Sequence, residues 1–280
     1  MGSESLNREQ IIAAYQMLLG REPESNGTIE YHIGANPTFE IFRENILTGT
    51  EFQSKYSTLV ENKYANLEDK AKALGFHESE VSTLGFQEFF EEIVAPRIDK
   101  RADTFRAAYR HLLNSRPRDV TVVETGCLRS AGNWAGDGQS TLQFEYLVRK
   151  CGGHAISVDY SPVSIAIAHY FCPSVQLVLS DSIRYLQFLS ARASNLPVDL
   201  LYLDSMDINP AEPLLSAEHH LGEIRAAWPL LRKGSIILID DHDCQTDAGR
   251  FSKSVLANKW LADKGAIKVA EAYQIVWMVP

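Results

Sequence analysis

Basic residues are in the minority here. Lysine and arginine number 27 against 36 aspartates and glutamates, giving a formal net charge of −9 at pH 7. Nucleic-acid binding draws most of its affinity from basic residues facing phosphates. No basic stripe is present, so no nucleic-acid partner is expected. Cysteine is also scarce. Cys127, Cys151, Cys172 and Cys244 are scattered, with no CxxC pair, which argues against a zinc ribbon or a disulfide framework and fits a reducing cytoplasm. No apolar run reaches the roughly 18 residues a membrane span needs, and the polar start MGSESLNREQ lacks a signal-peptide pattern. A cytoplasmic protein with no membrane partner is the expectation. Neither GxGxxG nor GxxxxGKS/T occurs in the glycine-rich loop near residue 130, which disfavours a dinucleotide site and excludes a P-loop there.

Hydrophobic residues make up 45% and charged residues 22% of the 280 positions, enough for one large core and a small additional domain. Residues 1–60 read as a small helical domain. LNREQIIAAYQMLLG places Ile11, Ile12, Tyr15, Leu18 and Leu19 on one face, with Gly20 as a stop. REPESNGT reads as a turn, and FEIFRENILTGTEF as a second amphipathic helix with Phe39, Phe42, Ile46 and Leu47 inward. Residues 61–115 read as a helical linker or cap. They hold a mixed charged stretch and then a helix from about Gln87 to Leu113 that contains Pro96 and is broken at Asn114 to Arg118.

Residues 116–280 alternate apolar, β-branched runs with helical ones. DVTVVET, HAISVDY, VQLVLSD, VDLLYLD and GSIILIDD read as strands, with helices between them. FSKSVLANKWLADKG reads as a further helix and AIKVAEAYQIVWMVP as a closing pair of strands. Continuous apolar strands separated by helices predict an α/β fold: a doubly wound, Rossmann-like, mostly parallel seven-stranded sheet covered on both faces.

Ligands of such sheets lie beyond the carboxyl ends of the strands. Those ends carry Glu124, Asp159, Asp181, Asp204 and the pair Asp240–Asp241. One aspartate after a strand is commonly a helix N-cap; capping alone does not account for an acid after all five. Glycines 126, 132, 136 and 138 let the first loop pass close to a ligand, and Ser140 or Thr141 can cap the helix that follows.

Glu124–Gly126 (ETG) and Val158–Tyr160 (VDY) resemble the acidic motifs of class I S-adenosylmethionine (SAM) methyltransferases. The resemblance implies SAM as cofactor. Asp159 would accept hydrogen bonds from the ribose hydroxyls, Glu124 would meet the charged end of the cofactor directly or through water, and Asp181 and Ser182 would contact the adenine. Gly126, Gly138 and Ser140 would complete the cofactor site. More narrowly, ETGCLRSAGNWAGDGQST, LLYLDSMD and IILIDDHD are similar to the Methyltransf_24 and macrocin O-methyltransferase (TylF-like) group over roughly residues 118–280, although the loop is longer than that group's compact form. AYQMLLGREPESNGTIEY with ILTGTEF resembles a small bacterial helical domain, DUF4214; a plain helical cap is the alternative reading.

Asp204 ends the fourth strand and Asp240–Asp241 the fifth, neighbours in this fold, so three carboxylates can converge. Such oxygens suit Mg²⁺ or another divalent cation, and the resemblance implies that they hold one. The alternative is a trio without metal, in which Asp240 or Asp241 caps the next helix. A metal would lower the pKa of the acceptor hydroxyl and proximity would do much of the rest, making the chain a metal-dependent O-methyltransferase acting on a small hydroxylated molecule, a sugar or glycosylated natural product. The base is left between His219, His220, His242 and Asp204, with His220 preferred; successive helix positions point about 100° apart, so only one of His219 and His220 can face the site. His242 is an alternative metal ligand. Two other readings stay open: a hydroxylase-like enzyme on the same fold, and a SAM-binding scaffold in a glycan pathway. Self-association into a homo-oligomer through the N-terminal helices is also left open.

Overall fold

The apolar run that begins at Val120 becomes the middle of a seven-stranded sheet. In the computed structural model, which describes residues 6–52, 54–55, 67–192, 197–246 and 249–280, the chain divides into two units, Met1–Leu67 and Glu68–Pro280. The sheet of the larger unit comprises β1 (Val120–Thr125), β2 (Gly153–Asp159), β3 (Val175–Leu179), β4 (Val198–Leu203), β5 (Leu231–Ile239), β8 (Ile267–Glu271) and β9 (Ile275–Met278). Their order is β3-β2-β1-β4-β5-β9-β8. The first five run parallel, and β9 lies antiparallel to both β5 and β8. This is the doubly wound, mostly parallel sheet expected from the sequence.

Every residue of β1 and β4 is buried, as both-face coverage requires. Val123, Leu201, Leu203, Ile237 and Ile239 share one core with Leu186, Ile224 and Leu261 from the helices behind. On the other face Phe105 stacks on Tyr202, ring centroids 5.5 Å apart, and Phe144 meets Tyr202 edge-on at 5.7 Å. A short second sheet pairs β6 (Cys244–Thr246) with β7 (Gly249–Phe251). The sequence reading extended a helix back to Phe251. Instead that residue ends the hairpin, and the helix spans only Val255–Asp263.

The part of residues 61–115 that the structure describes is helical. Leu67–Leu74, Glu78–Val81 and Phe86–Phe89 are followed by a π-helical turn, Phe90–Val94, and a 3₁₀ turn, Asp99–Arg101, before a helix over Ala102–Ser115. The helix expected from Gln87 to Leu113 is thus two pieces, because Pro96 has no N–H to continue it. Trp134 Nε1 donates to the Leu74 carbonyl at 3.1 Å, and Phe89 stacks on Tyr146 at 4.1 Å, so these helices share the larger unit's core. Among the described residues, no helix is long and apolar enough to cross a membrane.

The smaller unit contains Arg8–Ala14, widened into a π turn over Tyr15–Leu19, then Asn26–Ala35 and Phe39–Thr48. Asn7, Ser25 and Thr38 cap the three helices with side-chain oxygens. Gly20 ends the first in left-handed geometry. Ile11, Leu18 and Phe42 are fully buried, as the periodicity required; the Leu47 side chain lies outside what is described. The helix over Asn26–Ala35 is a correction, since its start was read as part of a turn. Gly27 and Gly34 weaken its helical signal, and it is held by Ser25 and by His32, which hydrogen-bonds the Tyr15 hydroxyl at 2.8 Å.

Candidate functional site

At the carboxyl edge of the parallel strands, next to β1 where the strand order reverses, lies a cavity of 660 Å³. Gly126, Val158, Asp159, Tyr160, Ser161, Ser164, Ser180, Asp181, Ser182, Ser205 and His219 are among its lining residues. A smaller cavity of 50 Å³ shares Gly126, Arg129, Asp159 and Ser205 with it and reaches Ser140 and Asp204. The two adjoin at these four residues and together make up the cleft, with the smaller cavity at its Asp204 end.

Gly126 makes this approach feasible. Its φ is +82°, and a β-carbon there would lie 2.4 Å from the Asp204 carbonyl oxygen, so the first loop can cross the end of β4 only with glycine. Asp159 presents its carboxylate to both cavities while accepting from Cys127 N at 3.0 Å and Ser161 N at 2.7 Å. Asp181 accepts from Arg184 N at 2.9 Å, so it caps its helix and also lines the cleft. Ser182 hydrogen-bonds His219 Nε2 at 3.0 Å.

Two of the expected cofactor contacts, Glu124 and Gly138, line neither cavity. Glu124 is 1% exposed. Its carboxylate accepts from Ser140 Oγ (2.5 Å), Thr141 Oγ1 (2.7 Å) and Ser157 Oγ (2.5 Å), pinning the next helix and β2 to β1. Burial, only partly offset by the three hydroxyls, raises its pKa to about 7. Gly138 also stands away from the cleft. It closes the short helix Trp134–Asp137 in left-handed geometry and packs on Arg101, whose Cδ lies 2.8 Å from where a β-carbon would sit.

The two neighbouring histidines are placed differently: His219 lines the larger cavity and His220 does not. His220 is fully buried. Its Nδ1–H donates to the Ser216 carbonyl at 2.7 Å, Nε2 has no hydrogen-bond partner among the described residues, and burial lowers its pKa to about 4. His219 is the one that lines the cleft. The buried Glu223 carboxylate, 3.3 Å from His219 Nε2, holds that imidazole above its ordinary pKa against the effect of burial. Ser205 Oγ also donates to Glu223 at 2.6 Å. His242 turns to Ser254 (2.6 Å) and Glu271 (3.0 Å), leaving neither ring nitrogen for a metal.

Asp204, Asp240 and Asp241 do converge, with one carboxylate oxygen of each within 4.8 Å of the others. As a donor set they have the type and spacing a divalent ion requires. Two cations of the chain, however, already pair with them. Arg101 Nε and Nη2 donate to both oxygens of Asp240 at 2.8–3.2 Å, with both side chains at most 4% exposed. Lys253 Nζ lies between the other two, 2.5 Å from Asp204 Oδ1 and 3.1 Å from Asp241 Oδ2. The Tyr273 hydroxyl donates to Asp241, and Lys100 Nζ sits 3.5 Å over the Tyr273 ring. With these partners in place the trio does not fit a resident divalent ion. Burial holds the Asp204 carboxyl well above its ordinary pKa despite Lys253, with Asp240 and Asp241 adding to the rise. Burial also pushes Asp241 up, but Lys253 and Tyr273 more than reverse it.

Arg101, Lys253 and Tyr273 were not singled out in the sequence. Arg129, which lines both cavities and pairs with Asp207 at 2.9 Å, carries no mark in the glycine-rich loop that sets it apart.

No protein-family model matches the chain, and no curated protein matches it by sequence. Among solved structures it is similar to the MycE methyltransferase of the mycinamycin biosynthetic pathway in complex with Mg, SAH and mycinamycin VI. That likeness has 15% identity and a TM-score of 0.44 and covers 91% of this chain; this chain spans 61% of the other's length, under two thirds. It is similar to the calicheamicin methyltransferase CalS11 at 14% identity and TM-score 0.44, covering 76% of this chain and 93% of that one. It is similar to an O-methyltransferase from Bacillus cereus in complex with SAH at 13% identity and TM-score 0.43, covering 78% and 99%.

Proposed function

We propose that the chain is a SAM-dependent O-methyltransferase acting on a small hydroxylated molecule, with a sugar or glycosylated natural product as acceptor. The observation that carries this reading is one cleft at the switch point of a doubly wound sheet, lined by the acids that end β2 and β3 and reaching Asp204 after β4. Its 660 Å³ lies within the usual range for small-ligand sites.

In this reading Asp159 accepts from the ribose hydroxyls. Asp181 and Ser182 face the adenine, the exposed Tyr160 ring covers it, and Gly126 leaves room for the chain beyond the ribose. The bound cofactor supplies an electrophilic methyl group on a sulfonium sulfur. Asp204, with a fifth of its side chain accessible and lining the smaller cavity, takes the acceptor's hydroxyl proton; His219 is the second candidate base. The oxygen–carbon bond forms as the carbon–sulfur bond breaks, and its electron pair stays on sulfur. Alignment of the acceptor oxygen with that bond supplies much of the acceleration.

Calorimetric titration with SAM tests the reading. Binding should weaken by about 10- to 100-fold in Asp159→Ala, the loss of charge-assisted hydrogen bonds, and a screen of hydroxylated sugars should give methylated product. A folded protein that takes up no SAM would overturn the proposal; acceptance of catechols alone would overturn only the sugar assignment.

A further inference from the structure

We infer that Lys253 is the resident cation of the acidic centre, holding the position between Asp204 and Asp241 that a divalent metal would otherwise take, so that the centre is assembled without metal. Three observations converge on this. The first is placement: one ammonium contacts carboxylates from the ends of two adjacent strands, at 2.5 and 3.1 Å. The second is confinement. The Lys253 side chain is 0% exposed, and its backbone N–H donates to the Asp241 carbonyl at 3.1 Å. The residue is therefore anchored to the same strand end at both its backbone and its tip, and withdrawing the ammonium would leave a buried charge without partners.

The third observation is the state of Asp240. A divalent ion held by all three carboxylates would need an oxygen from it, and both its oxygens already accept from Arg101, which leaves Asp204 and Asp241 as the pair whose occupant Lys253 decides. Three carboxylates thus face two cations of the chain itself. Adding a divalent ion would bring two more positive charges against an ammonium and a guanidinium that have no other carboxylates to turn to in the centre. The ammonium meets the same geometric demand as a metal: it keeps Asp204 and Asp241 converged and aims Asp204 at the smaller cavity. Lys253 is in this sense a positioning residue. The inference rests on the methyltransferase reading only for what Asp204 is aimed at; the occupancy of the trio stands apart from it.

Mn²⁺ is the probe, read by the loss of its free six-line electron paramagnetic resonance signal on the purified full chain. The wild-type protein is expected to leave the signal of equimolar Mn²⁺ unchanged. Lys253→Met should bind it about a hundredfold more tightly, toward the upper end of coupling between adjacent sites. Adding Asp241→Asn to that variant should abolish the gain, and Lys253→Arg, which keeps the charge, should resemble the wild type. A gained site is a signature that a merely structural lysine would not produce. Tight Mn²⁺ binding by the wild type that is lost in Asp241→Asn overturns the inference, whether or not Lys253→Met folds. So does a folded Lys253→Met that gains no site. SAM titrations of the same samples report separately on the proposed function, so failure of one is not mistaken for failure of the other.

Discussion

Arg101 closes on Asp240 across 139 positions of sequence, its Nε and Nη2 meeting both carboxylate oxygens in a pair with almost no solvent contact. Pairs of this kind are costly to break from one side, because the remaining charge stays buried. Arg101→Met should lower the unfolding free energy by about 3–5 kcal/mol, read as a shift in the urea midpoint. A change within the scatter of surface substitutions would mean that Asp240 is compensated by other groups.

Glu124 should make the protein less stable as the pH rises. Its folded pKa, about 7, lies above the ordinary 4.5, so the folded state holds the proton more tightly than the unfolded chain. The stabilisation is complete below about 4.5 and lost as the pH climbs through 7. Glu124→Gln keeps a hydrogen-bonding group among Ser140, Thr141 and Ser157 and removes this dependence. Between pH 5 and 8 the wild type should lose on the order of 3 kcal/mol, as an upper bound, relative to the variant. Parallel urea midpoints across that range would rule out a buried ionisation at this position.

His220 carries the opposite slope. With a folded pKa near 4 it is held neutral, and the unfolded chain takes up its proton first, so stability falls as the pH drops from about 6.5 towards 4. His220→Gln should flatten that part of the stability profile. The two histidines should also separate in kinetics: His219→Ala is expected to reduce kcat by about tenfold or more, short of the full contribution of a general base, whereas His220→Gln should leave kcat nearly unchanged in the folded fraction. Equal losses would place both in the reaction.

Gly126→Ala tests the crossing of the first loop over β4. The added carbon would press on the Asp204 carbonyl in a backbone conformation that alanine rarely adopts. A cost of about 1–3 kcal/mol in stability is expected, together with loss of SAM binding by calorimetry. Unchanged affinity would show that the loop can move aside freely.

Most of the fold could be read from the sequence, because parallel strands buried on both faces leave uninterrupted apolar runs, and the acids after them mark the edge where ligands gather. Asp159, Asp181, Ser182 and Asp204, which line the two cavities, are legible in this way. Glu124 obeyed the same rule for a different reason: it sits within β1 rather than beyond it, and three serine and threonine hydroxyls from separate elements enclose it. The partners of the aspartate trio had no comparable mark. Arg101 belongs to a charged run, IDKRAD, that looks like an exposed helix start. Lys253 lies in FSKSVLANKW, where helical spacing is a sufficient explanation for a lysine. The short pairing of β6 with β7, which leaves no pattern, precedes Lys253 in the chain, and the Lys253 ammonium meets Asp204 and Asp241. The helix over Asn26–Ala35 escaped because its two glycines resemble loop punctuation.

The centre's charges also arrive in a fixed order during synthesis. Arg101 leaves the ribosome first, then Asp204, Asp240 and Asp241, and only afterwards Lys253 and Tyr273. A nascent chain that has completed β5 therefore carries three neighbouring carboxylates and a single cation to meet them, and their mutual repulsion opposes closure of that edge of the sheet. The antiparallel strand β9, which pairs with β5 along Ile236–Ile239, arrives last, with Tyr273 just ahead of it. That strand and the last of the compensating groups, Tyr273, come from one stretch of chain, so the strand that covers β5 and the centre's last partner are supplied together, at long sequence separation, where ordering is slow.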